Sequence, residues 1–92
     1  SSCYIQDMQN GGYSSTDKDL NKKLIAALIK DLNNVKKIKK DEYDYSIDFN
    51  YTDSGENYNY RNGTEISVNI YSEYKNTLKV LNDSGVLAKL EE

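Results

Sequence analysis

Two different hydrophobic periods divide the chain. Leu20, Leu24, Ala27, Leu28, Leu32 and Val35 recur at spacings of three and four, the period of a helix that buries one face. Ile25 and Ile29 widen this stripe, and Lys22, Lys23, Lys30 and Asp31 are placed away from it. Thr16 is a suitable N-cap, and Asp17 and Asp19 put negative charge in the first turn, where the helix dipole favours it. The helix is expected from about Asp17 to Lys37, with the lysine run Lys36, Lys37, Lys39 and Lys40 as its solvated end.

From Tyr43 the period changes to two. Tyr43, Tyr45, Ile47, Phe49 and Tyr51 alternate with Asp44, Ser46, Asp48 and Asn50, the pattern of a strand with one buried and one wet face. A second strand is expected near Glu56 to Tyr60 and a third near Thr64 to Tyr71, with Ile66, Val68 and Ile70 on one side. A one-residue slip would turn every side chain to the wrong face, so the turns must keep these faces matched. A two-residue turn at Ser54-Gly55 sets Tyr51 opposite Tyr58 and Phe49 opposite Tyr60. A three-residue loop at Arg61-Asn62-Gly63 sets Tyr60 opposite Thr64 and Tyr58 opposite Ile66.

The flanks are shorter. Ser72 is placed to cap a second helix that runs to about Asp83, with Tyr74, Thr77, Leu78 and Leu81 on one face and Gly85 as the left-handed residue that ends it. Val86, Leu87 and Leu90 then form a tail that packs back or pairs at a sheet edge. At the other end Cys3, Ile5 and Asp7 alternate with Tyr4, Gln6 and Met8 and offer a fourth, N-terminal strand, broken by Asn10-Gly11-Gly12, with Tyr13 to Ser15 as loop. The expected fold is α+β: a three-stranded antiparallel meander, with this N-terminal strand as a possible fourth, one face covered by two helices in the order (β)αβββα.

Composition limits the chemistry. At 92 residues the chain is one domain, 1–92, with a thin core. The formal net charge of -3 argues against nucleic acid or anionic lipid as the main partner, because both require a net basic face. No apolar run reaches the ~20 residues of a membrane span, so a membrane would be met only through segments outside this sequence.

The chain has no His and one Cys, which removes the commonest general base and metal ligand and any intrachain disulfide. Cys3 reads as a buried or terminal thiol, or as the lipid-bearing residue of a lipoprotein. Asp53-Ser54-Gly55-Glu56 is too short for a calcium loop, and Gly11-Gly12 lacks the spacing and the Lys of a phosphate loop. No catalytic residue, cofactor site or metal site is expected.

One stretch resembles a known kind of domain. Ile47-Asp48-Phe49-Asn50-Tyr51, a turn, Tyr58-Asn59-Tyr60-Arg61, an Ile-x-Val-x-Ile-Tyr strand, and Tyr74-Lys75-Asn76-Thr77-Leu78-Lys79-Val80-Leu81 with Gly85 are similar to a soluble domain attached to ABC transporter permeases of low-GC Gram-positive bacteria. The resemblance covers under half of the chain. It implies the non-membrane part of a multi-spanning exporter subunit, facing outside and tethered to the cell membrane, with no catalytic residues.

The expected function is a non-catalytic binding or regulatory module of a bacterial membrane or cell-surface protein, whose partner is another protein or the rest of a transporter. The alternative is a secreted or lipid-anchored interaction protein. A small carboxylate-based hydrolase is the third reading. The candidate partner surface is Tyr71, Tyr74 and the wet sheet face with Asn57, Asn59 and Asn69.

Overall fold

The computed structural model describes residues 2–9, 11–52 and 63–90. Strands β1 (Ser2–Asp7) and β2 (Gly11–Ser15) precede helix α1 (Lys18–Asn34). Strands β3 (Tyr43–Thr52) and β4 (Gly63–Tyr71) follow, and helices α2 (Lys75–Asp83) and α3 (Val86–Leu90) close the order. The strands form one sheet in the order β2-β1-β3-β4, with every neighbouring pair antiparallel. The α+β class is therefore as expected.

The N-terminal alternation does make a strand, and it occupies the middle of the sheet. Cys3, Ile5 and Asp7 are buried while Tyr4 and Gln6 are exposed. Cys3 lies opposite Phe49, and Ile5 opposite Ile47, in the β1–β3 ladder. The expected loop at Tyr13 to Ser15 is instead the end of β2. Gly11–Ser15 has little strand propensity, yet the β1 ladder sets Tyr13 opposite Ile5 and Ser15 opposite Cys3. Tertiary pairing, which satisfies the backbone, outweighs local preference here.

The pairing of the central strands also differs from the expected meander. Residues 43–52 pair directly with 63–71, with Ile47 opposite Val68, Phe49 opposite Ile66 and Tyr45 opposite Ile70. The strand expected at Glu56 to Tyr60, the Ser54-Gly55 turn, and Arg61 and Asn62 of the second turn lie outside the described residues. Face matching is satisfied equally by either partner, so parity alone could not choose between them.

Helix α1 starts one residue later than expected. Asp17, not Thr16, is its cap, accepting from the backbone N–H groups of Asp19 and Leu20 at 2.9 and 3.2 Å. It ends at Asn34, where Val35 turns extended at φ -86° and ψ 109°. Val35 and Ile38, beyond the helix, are partly buried against the core. The lysine run thus belongs to the α1–β3 connection rather than to a helix end.

Ser72 does not cap α2. Its hydroxyl donates to Glu73 Oε1, and the residue in the cap position is Tyr74, whose side chain makes no capping bond. Gly85 ends α2 with φ +81°, as expected. The tail after it is a third helix, α3, which buries Val86 and Leu90. The core joins Cys3, Ile5, Ile47, Phe49 and Ile70 of the sheet to Leu24, Leu28, Tyr74, Leu81, Val86 and Leu90 of the helices. No helix among the described residues is long and apolar enough to cross a membrane.

Candidate functional site

Of the residues expected to meet a partner, Tyr71, Tyr74 and Asn69 lie among the described residues. A register shift between Tyr43 and Tyr45 sets Tyr71 opposite Tyr43. The Tyr71 ring then stands edge-on to Tyr43 at 5.9 Å and to Tyr74 at 5.6 Å. Tyr74 is only 8% exposed and belongs to the core, so it offers no free ring. Tyr71 is half-buried, and its hydroxyl donates to Asp41 Oδ1 at 3.1 Å. A hydrogen bond with Asn69 pulls this phenol down, but the Asp41 carboxylate outweighs it and the pKa lies above the ordinary value. Asn69 is exposed on β4, beside a cross-strand bond from Ser67 Oγ to Asp48 Oδ1 at 2.6 Å. Asn57 and Asn59 lie outside the described residues.

Two polar side chains of α1 are buried: Asn21, and Asp31, which was expected to lie away from the apolar stripe. Asn21 accepts from the Cys3 thiol at 2.9 Å inside the core. Desolvation raises the thiol pKa, so Cys3 is kept in its neutral, unreactive form.

The second is Asp31, at 2% exposure. Its Oδ1 accepts from the backbone N–H and side-chain amide of Asn76, at 3.2 and 2.9 Å. Its Oδ2 accepts from the backbone N–H and hydroxyl of Thr77, at 2.7 and 2.6 Å. These two N–H groups belong to the first turn of α2, which its own cap residue leaves unsatisfied. A carboxylate from one helix therefore caps the other. Burial pushes the carboxyl up, but the bonds from Thr77 and Asn76 outweigh it and hold the pKa below the usual value. Asp31 follows Leu24 by seven residues and Leu28 by three, so helical spacing puts it on the apolar stripe. An acid in that position was the legible signal of a buried partner.

The clamp holds α2 beside α1, and a groove of about 280 Å³ runs between them. Ala26, Ala27 and Val80 line it, together with Asn76 and the lysines Lys23, Lys30 and Lys79. A smaller hollow continues it past Lys23 and Val80 to Asp83 and Ser84. All three lysines are exposed. The Asn76 amide is already held by Asp31. The arrangement is an apolar floor with cations on its rim.

No group of three or more His, Cys, Asp or Glu side chains suited to a metal ion occurs among the described residues. No protein-family model, curated protein or solved structure significantly matches the chain.

Proposed function

We propose that the chain is a non-catalytic binding or regulatory module of a bacterial membrane or cell-surface protein, in its finer form the outward-facing part of an ABC transporter permease. The observation that carries the binding reading is the groove between α1 and α2, whose exposed lysines border an apolar floor. Such a surface suits docking of another chain rather than bond chemistry. The buried ionisable groups support the same reading, since the Cys3 thiol bonds Asn21, Asp7 accepts from the Gln9 backbone, and Asp31 caps α2. The Cys3 and Asp31 bonds each join two separate elements of the fold. The permease reading rests on the residue pattern from Ile47 to Gly85.

Two measurements test this. Membrane spans in the same reading frame, on either side of these 92 codons, are expected; a frame without spans or any export signal overturns the membrane assignment. The purified chain is expected to leave chromogenic ester, glycoside and phosphate substrates unchanged; saturable turnover of any of them overturns the non-catalytic assignment.

A further inference from the structure

We propose that the groove between α1 and α2 seats an acidic amphipathic helix of a protein partner, with its carboxylates on Lys23, Lys30 and Lys79 and its apolar stripe on Ala26, Ala27 and Val80. This rests on the reading of the chain as a binding module and supplies the chemistry of its partner.

The spacing of the cations points to a helix. Lys23 and Lys30 are seven residues apart on one face of α1, which separates them by about 10.5 Å along the axis. Acidic residues seven apart on a facing helix repeat at the same interval. Lys79 stands across the groove on α2, so a helix lying between would have cations on both flanks. The floor points the same way. Ala26 and Ala27 are small, and small side chains let a second helix approach closely. Ala26, Ala27 and Val80 offer this floor no side-chain hydrogen-bonding group, so it favours apolar contact. Lysine stems lying along such a floor extend its apolar area while their heads stay in water.

The charge balance selects among anions. The groove is a local basic patch on a chain of net charge -3. A nucleic acid or an anionic bilayer spreads negative charge well beyond the groove and meets the acidic remainder of the surface. A single helix confines its carboxylates to the three lysines. Asp83, at the Ser84 end, requires that the partner's terminal turn there carry no acid.

The test is an amide chemical-shift titration of the full chain with a synthetic helical peptide. The peptide carries a leucine and alanine stripe flanked by glutamates two turns apart. Saturable shifts at Lys23, Ala26, Lys30, Asn76, Lys79 and Val80, weakening as salt is raised, are expected. The double variant Lys23→Glu, Lys30→Glu should bind at least about tenfold more weakly. Ala26→Trp, which fills the floor without altering charge, should weaken binding as well. All three positions are exposed, so unchanged dispersion of the amide spectrum confirms that the variants remain folded.

The proposal is overturned if no shift saturates at millimolar peptide, or if a peptide with lysines in place of the glutamates binds as well. It is equally overturned if phosphatidylglycerol vesicles move the groove signals and the peptide does not. Any of these results removes the acidic helix as partner. The non-catalytic part of the wider reading fails separately, through substrate turnover.

Discussion

The Asp31 carboxylate on α1 receives both the backbone N–H and the hydroxyl of Thr77 at the start of α2, at 2.7 and 2.6 Å. One side chain thus supplies the cap that α2 lacks and a polar link between the two helices. Asp31→Asn keeps the shape but turns a donor toward groups that are themselves donors. Buried hydrogen bonds to a charged group are worth about 1.5–3 kcal/mol each, and an unsatisfied donor adds its own desolvation cost. The substitution is expected to cost about 3 kcal/mol and to lower the melting temperature by at least about 10 °C. Thermal unfolding followed by circular dichroism measures this, and a loss near zero would refute the clamp.

The same carboxylate makes stability depend on pH in a definite direction. Its pKa in the folded chain lies below the ordinary 3.8, because the bonds from Thr77 and Asn76 outweigh burial. As acid is added, the unfolded chain takes up this proton before the folded chain does. The stabilisation is therefore complete above the ordinary value and is lost as pH falls through the folded value. Urea midpoints of the natural chain and of Asp31→Asn should converge as pH is lowered from about 5 to about 2. A gap that stays constant across that range would assign the titration to other carboxylates.

Cys3 should behave as a core residue. Its sulfur is almost wholly enclosed, donates to Asn21 and has a pKa raised by desolvation. A thiol reagent at pH 8 is expected to react with the folded chain only at the rate of unfolding, and at once in guanidinium. Rapid stoichiometric labelling of the native chain would show that β1 does not hold the thiol inside.

The apolar stripe of α1 should divide energetically. Leu24 is 0% exposed, whereas Leu32 is 52% and Ile29 54% exposed, although all three fit the helical period. Leu24→Ala is expected to cost about 3 kcal/mol through lost contacts and an unfilled cavity. Leu32→Ala and Ile29→Ala are expected to stay within about 0.5 kcal/mol of the natural chain. Equal losses at the three positions would mean that the exposed flank is covered in solution.

Local chemistry and period were enough to place α1, the strands at Tyr43 and Thr64, the alternation of β1 and the left-handed stop at Gly85. Each rests on interactions within a few residues, and the α+β class follows from their order. Partners, by contrast, are decided across the fold. Gly11–Ser15 becomes a strand because β1 offers its ladder, residues 43–52 choose 63–71 as neighbour, and the α1 stripe buries only its sheet-facing part. Tyr74 moves from candidate contact residue to core, and Asp31 from solvated acid to helix cap, for the same reason. A side chain's role is set by what packs over it, and the period of a sequence names the face of an element without naming what that face will meet.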